Sequence, residues 1–223
     1  MTRPDDPTVS FPRIAVQTKA EAVYQVLRAR ILDGSYRPGS TLNQDAVAAA
    51  LGLSITPLRE ALRRLDSEGL VRLEAHRTLT VAPLSAREVG QLYAVRLRLD
   101  PFAAELAAQN ASRETLDVID DLARQKTEST SVGRLGANRR FHRTVYQAAG
   151  NSVLAELLDR LWDQTDRYRL LALQDEEHER TAEREHRQIA AAIRARDGPR
   201  VAELMAAHVE ATLRLVERHG DVR

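Results

Sequence analysis

The chain has 223 residues, no cysteine and a formal net charge of +1 at pH 7. The lack of cysteine excludes disulfide bonds and thiolate metal ligands, and the near-neutral charge means that any field attracting DNA must come from charge placement. No apolar run approaches the ~20 residues that a membrane-spanning helix needs, and no signal-peptide core is visible. We therefore expect a cytoplasmic protein with no membrane partner, long enough for two domains with separate cores.

The first predicted elements are a tail and a helix. Residues 1–12 contain proline and aspartate without a period, which predicts a flexible tail. Residues 19–33 carry apolar side chains at helical spacing, and Gly34 and the turn around Pro38 follow. The pattern predicts a first helix that ends at this turn.

The next segment has the order of elements found in a DNA-binding module. A short helix from Asp45 to Ala50 is followed by a tight turn at Gly52 and a capped helix from Ser54 to Ser67. Two short strands follow, Leu70–Leu73 and Leu79–Val81. This is the layout of a winged helix-turn-helix, whose second helix enters the major groove of DNA.

The predicted second helix has one apolar and one basic face. Arg59 and Arg63 are one turn apart on the basic face, and arginine can bind guanine bidentately or bridge phosphates. A solvated basic face without a DNA-binding role is the alternative, although the flanking turn and strands favour DNA recognition. The residues expected to contact double-stranded operator DNA are Ser54, Ile55, Thr56, Arg59 and Arg63 in the helix, with His76 and Arg77 at the wing tip.

After Pro83 the chain reads as helix throughout, beginning with a capping box at Ser85 and Glu88. The predicted fold class is mainly α: an N-terminal winged helix-turn-helix and a C-terminal all-α helical bundle. The predicted domains are 13–82 for DNA binding, a linker at 83–84, and 85–219 for effector binding and dimerisation. Six helices are predicted in the second domain, at roughly 85–109, 112–127, 134–149, 152–174, 178–196 and 199–218.

Three histidines in the helical region could meet. His186 and His208 lie at similar distances, about 15–18 Å along a helix, on either side of the turn at Gly198. His142 lies on a third helix, one turn after Asn138. Three imidazoles converging inside a bundle suit a divalent ion such as Zn or Ni. The alternative is that these histidines are core residues with a purely structural role.

Two segments carry a resemblance to a known family. The run LSITPLREALRRL at residues 53–65, continued by EGLV at 68–71, resembles the signature of the GntR family of bacterial transcription regulators. Upstream, ILDGSYRPG at 31–39 resembles the end of that family's first helix. The all-helical second half is similar to the FCD effector domain of the FadR subfamily, and its length is closer to the shorter VanR-type branch.

The resemblance implies a homodimeric, ligand-responsive regulator, most often a repressor, with one DNA half-site per subunit. The FCD metal-binding pattern is Asp or Asn, a histidine four residues later, and two further histidines on the last two helices. Asn138, His142, His186 and His208 match this pattern in order. Arg96, four residues before Asp100, resembles the FCD arginine and would bind a carboxylate of a small organic acid effector; an intrahelical ion pair with Asp100 is the alternative.

The sequence departs from the family at two DNA-facing positions. Ile55 stands where the family usually has arginine, so this position can offer DNA only apolar contact, for example to a thymine methyl. The wing tip reads His76-Arg77-Thr78 without the usual glycine, so its turn must be built differently. Both departures bear on which operator is bound.

Other functional classes are less consistent with the sequence. A metal-dependent hydrolase could use the three histidines with Glu185, but adjacent helical residues point about 100° apart, which should keep Glu185 outside the cavity of His186. A structural adaptor would leave the wing and Arg59 unexplained. We therefore expect no enzyme, with Arg98 and Arg169 solvated and Trp162 filling a bundle or dimer core.

Overall fold

The computed structural model of the chain describes residues 18–73, 78–83, 85–125, 130–172 and 176–219. The predicted tail at 1–12 and the wing-tip residues His76 and Arg77 lie outside the described residues.

The N-terminal region has the predicted elements and one additional strand. The elements are α1 Lys19–Leu32, β1 Thr41–Asn43, α2 Gln44–Ala50, α3 Ile55–Ser67, β2 Val71–Leu73 and β3 Thr78–Val81. The additional strand is β1, which is three residues long and too short to show the alternation by which a strand is identified in sequence. It pairs antiparallel with β3, which also pairs antiparallel with β2, in the order β1-β3-β2.

Helix α3 is held against the domain core by its apolar stripe, as predicted. The buried residues of α3 recur at helical spacing, while Gly52, in the turn before it, has a φ of 65° that a side chain would disfavour. Ser54 is the N-cap residue, as predicted, but its side chain makes no capping hydrogen bond. The stripe consists of Leu58, Ala61, Leu62 and Leu65.

The second region contains the six predicted helices, with ends that differ from prediction by a few residues. The helices are α4 Ala86–Asn110, α5 Arg113–Arg124, α6 Ser131–Ala148, α7 Ser152–Ala172, α8 Glu176–Arg194 and α9 Gly198–His219. Helix α4 packs most extensively against α9 and also contacts α6, α7 and α8, while α5 packs on α6 and α8. In the part of the chain that the structure describes, no helix is both long and apolar enough to cross a membrane.

The start of α4 combines the predicted cap with a contact from α7. The Glu88 backbone N–H donates to Ser85 Oγ at 3.2 Å, which is the expected half of a capping box. The Tyr168 hydroxyl completes the arrangement, because it accepts from the Ser85 N–H at 3.1 Å and donates to the Glu88 carboxylate at 2.9 Å. The linker region is therefore tied to the bundle.

The chain has two apolar cores, and the helical region contributes one side chain to the core of the N-terminal region. The N-terminal core contains side chains of α1, α2, α3 and the sheet, together with Leu135 from α6 of the helical region. Arg28 of α1 also forms an ion pair with Asp166 of α7, and Asp166 is fully buried. The two regions thus share both apolar and charged contacts.

Candidate metal centre and DNA-recognition helix

The exposed face of α3 carries four of the predicted DNA-contacting residues. Ser54, Thr56, Arg59 and Arg63 are exposed, and the uncapped Ser54 hydroxyl is available to an external acceptor or donor. Ile55 is only partly exposed, because it packs against the N-terminal core. Four side chains at the start and along one face of α3 therefore remain free to meet a ligand.

Arg64, the third arginine of α3, has a different role. Its guanidinium carbon lies 3.6 Å from the Tyr24 ring centroid, and Nη1 lies 2.7 Å from a Glu21 carboxylate oxygen. The Tyr24 hydroxyl in turn donates to Glu68 at 2.8 Å. These contacts fasten α3 to α1 and fix the direction in which Arg59 is presented.

The structure brings together His142 of α6, His186 of α8 and His208 of α9. One ring nitrogen of each lies within 4.8 Å of the others, and all three side chains are buried. The turn before Gly198 allows α8 and α9 to run side by side, and this places His186 and His208 at the same level, as the spacing predicts.

The distances within this cluster suit a single bound ion. His142 Nε2 lies 3.1 Å from His208 Nε2. Two nitrogens bound to one tetrahedral zinc ion at about 2.0–2.1 Å lie roughly 3.3 Å apart. His186 Nε2 is buried and has no hydrogen-bond partner among the described residues, which is costly unless something binds it. The donor set and the unpartnered nitrogen fit a divalent metal.

Burial keeps the three imidazoles in the form that binds metal. It lowers the pKa of His142 and of His186 well below the usual value and lowers the pKa of His208 to about 3. Neighbouring positive charge, including that of Arg169, lowers the pKa of all three further. The imidazoles are therefore neutral near pH 7, with lone pairs available for coordination.

Two residues hold the outer ring nitrogens and so orient the inner ones. Glu185 Oε2 lies 2.7 Å from His208 Nδ1, and the Tyr146 hydroxyl lies 3.4 Å from His142 Nδ1. A carboxylate or hydroxyl on Nδ1 leaves Nε2 as the ligand atom. Glu185 was expected outside the cavity of His186, and its observed contact is with the outer nitrogen of His208, on the neighbouring helix.

Asn138 and Arg169 contact each other beside the cluster. Asn138 Oδ1 accepts a hydrogen bond from Arg169 Nη2 at 2.8 Å. The expectation that Arg169 is solvated is wrong, because its side chain is 3% exposed and its guanidinium lies 3.8 Å from the Trp162 ring centroid. Trp162 itself is buried in the bundle core. Arg98 is exposed, as expected.

Helical spacing on α7 could have located Arg169. Trp162, Thr165, Asp166 and Arg169 lie at intervals of three and four residues and are all buried, so they form one continuous inward face. Sequence reasoning placed Trp162 inside but did not extend its face to the charged residues.

Arg96 lies in the ion pair that was the alternative for its role. Its Nη2 is 2.7 Å from Asp100 Oδ2, and both side chains are almost completely buried. Asp100 Oδ2 also accepts a hydrogen bond from the Tyr146 hydroxyl at 2.9 Å. The Tyr146 oxygen in turn accepts a hydrogen bond from Trp162 Nε1 at 3.0 Å. A chain of hydrogen bonds thus extends from Arg96 to the ring of His142.

Sequence profiles of two known families match the two regions. The profile of bacterial regulatory proteins of the gntR family matches residues 19–81, from α1 to the last strand. The profile of the FCD domain matches residues 91–211, which contain most of the helical bundle and all three clustered histidines.

Relatives of the chain are transcription regulators, not enzymes. The uncharacterized HTH-type transcriptional regulator YdhC of Bacillus subtilis is 30% identical over 173 residues, covering 74% of this chain and 76% of YdhC. The HTH-type transcriptional repressor GlaR of Escherichia coli is 25% identical over 212 residues, covering 87% of this chain and 94% of GlaR. The solved structure of McbR/YncC from Escherichia coli has the same fold, with a TM-score of 0.75 at 24% identity, covering 90% of this chain and 98% of its own.

Proposed function

This chain belongs to the gntR family of bacterial regulatory proteins and carries an FCD domain, and on that premise we propose that it is a homodimeric repressor controlled by a metal and a small organic acid. The GntR domain and the FCD effector domain make it a transcriptional regulator. A cytoplasmic location fits this DNA-binding role.

Operator binding is assigned to the exposed face of α3. Ser54, Thr56, Arg59 and Arg63 supply hydroxyl and guanidinium donors for bases and phosphates, and Ile55 supplies apolar contact at its exposed edge. The wing residues His76 and Arg77 lie outside the described residues. The sequence pattern alone assigns them to contact with the DNA backbone or the minor groove. One subunit occupies one half-site of a pseudopalindromic operator.

Exposed apolar side chains on two neighbouring helices support pairing with a second copy. Val95 and Phe102 of α4 are 44% and 48% exposed and lie two turns apart on one face. Val153 and Leu157 of α7, a helix that packs on α4, are 75% and 43% exposed. A second subunit that covers these side chains would remove their apolar surface from water.

The observation that carries the metal assignment is the cluster of three neutral, buried histidines with one unpartnered nitrogen. His142, His186 and His208 would hold Zn or Ni, with the Asn138 amide oxygen as a weaker fourth ligand if it releases Arg169. The ion supplies positive charge and open coordination positions, which attract a carboxylate. Arg96 retains an Nε–H without a partner among the described residues, and this is the donor that it offers the effector.

Elemental analysis of the full chain, purified without a histidine tag and equilibrated with Zn or Ni, tests this assignment. We expect one metal ion per chain, and a strong loss of metal in H142A, H186A and H208A. His178 lies outside the cluster, so H178A is the matched control and should keep its metal. A folded wild-type chain that stays metal-free would return the three histidines to a purely structural role.

A further inference from the structure

Arg169 is a charged side chain enclosed beside the histidine cluster. It is 3% exposed, and its guanidinium carbon lies 3.8 Å from the Trp162 ring centroid. Nη2 donates to Asn138 Oδ1, whereas Nε has no hydrogen-bond partner in the described part of the chain. The side chain is fixed in place but its hydrogen-bonding capacity is not used up.

Arg169 has no ion-pair partner among the described residues, unlike Arg96 and Arg139. Arg96, whose guanidinium carbon is 4.8 Å from the same Trp162 ring, is paired with Asp100 at 2.7 Å. Arg139 is paired with Asp166 at 3.1 Å. No carboxylate of the described residues forms an ion pair with Arg169, and the amide of Asn138 satisfies one N–H without supplying negative charge. The charge of Asp166 acts on Arg169 from a distance, but that carboxylate is already paired with two other arginines. A buried cation without a counter-ion of its own is unfavourable, so this site is suited to an anion.

The guanidinium borders the site where the effector is assigned. Its positive charge lowers the pKa of His142, of His186 and of His208. The His142 ring centroid is 4.8 Å from the Trp162 ring, the same ring against which Arg169 lies. Arg169 and His142 of the cluster therefore contact the same indole side chain.

We infer that Arg169 supplies the charge and the main hydrogen bonds that bind the carboxylate of the effector, while Arg96, already paired with Asp100, offers only its single Nε–H. The inference rests on the proposed function, in which a small organic acid occupies this site. A planar guanidinium with an unused donor offers a carboxylate directed hydrogen bonds and a matching charge. One turn earlier, α7 also carries Asp166, which pairs with Arg28 of the DNA-binding domain, so the anion acts on the helix that holds α1.

The test compares four versions of the zinc-loaded full chain: wild type, R169M, R169K and R160M. Arg160 lies on the same helix but its side chain is 75% exposed, so R160M is the matched control. Sodium acetate, lactate, succinate and benzoate serve as probes against sodium chloride of equal ionic strength, with binding measured by calorimetry and by the shift in Tm. At least one probe should bind wild type and R160M equally, R169M about 10- to 100-fold more weakly, and R169K to an intermediate extent.

Two further readouts separate ligand binding from a structural role. Zinc content should be unchanged in R169M, because the three histidines are intact. Without a probe, the Tm of R169M should not fall, since the substitution removes a buried charge that has no ion-pair partner among the described residues. A structural role predicts a lower Tm. If R169M is unstable, R169K decides the matter and must bind the probe more weakly at a Tm equal to that of wild type.

The outcomes that overturn the inference differ from those that overturn the proposed function. A variant R169M that binds the probe as tightly as wild type, with zinc present, excludes Arg169 and leaves the organic-acid effector in place. If wild type and R160M bind zinc but none of the four probes, the organic-acid effector fails and the role of Arg169 fails with it.

Discussion

Arg59 and Arg63 of α3 are exposed to solvent, whereas Arg96 of α4 and Arg169 of α7 are enclosed in the helical bundle. Water solvates the exposed pair at little cost until the phosphates or bases of DNA replace it. The enclosed arginines cannot rely on water, so each needs an internal carboxylate or a bound anion. The arginines proposed to recognise DNA, a large polyanion, therefore lie on the surface. The arginines suited to a small anion lie inside the bundle, where the anion must give up its water of hydration.

The largest effect expected from this difference is at Asp166, the buried carboxylate between the two regions. The substitution D166N removes the fully buried carboxylate that Arg28 and Arg139 share and leaves each with one other, more exposed acidic partner. It should lower the free energy of unfolding by about 3 kcal/mol. Asp159 pairs with Arg143 at a more exposed site, so D159N should cost at most about 1 kcal/mol. Urea unfolding of both variants measures the contrast, and equal losses would show that burial of Asp166 is not decisive.

The next largest effect is on DNA binding. The substitution R59A should weaken specific binding to the DNA upstream of this gene by about 1–3 kcal/mol if Arg59 contacts a base, while stability is unchanged because the side chain is exposed. R113A, an exposed arginine of the helical region, is the control. Titration of labelled DNA at fixed salt gives both affinities. Unaltered affinity in folded R59A would exclude α3 as the recognition helix.

Within the bundle, a smaller effect is expected on zinc affinity when Glu185, which is not a proposed metal ligand, is replaced. Glu185 holds His208 Nδ1 at 2.7 Å, so E185Q should lower zinc affinity by about 10- to 100-fold without removing a ligand. Glu210, an exposed residue of α9, provides the control E210Q. Competition with a metal chelator of known affinity measures the difference. Identical zinc affinities would mean that the Glu185 contact does not orient His208.

The smallest effect is expected at Ile55. Its side chain is partly buried against the N-terminal core, so I55R must extend from the edge of α3 to reach DNA. If it gains a phosphate contact, the slope of log affinity against log salt should increase by up to about one. Binding measured over a range of salt concentrations, together with selection from random sites, tests this. Unchanged slope and site preference would show that position 55 lies away from DNA.

Features that repeat along the chain were predictable, while contacts between helices were not. The stripe of α3 and the six later helices follow from local periodicity, and the equal spacing about Gly198 located His186 and His208. The contact of Glu185 with His208 depends on the rotation of α8 relative to α9, which no local pattern encodes. Arg169 was misplaced because charged residues were taken as solvated, although its spacing from Trp162 put it on the buried face.

Leu135 has a consequence for exchanging domains between relatives. Its side chain is donated by the effector region to the core of the DNA-binding region, so the two are not fully interchangeable units. A chimera that joins residues 18–83 to the helical bundle of another regulator must also supply an apolar side chain at the Leu135 position. Otherwise part of the core of the grafted DNA-binding region is exposed, and a fusion made to transfer operator specificity would lose solubility before specificity could be assessed.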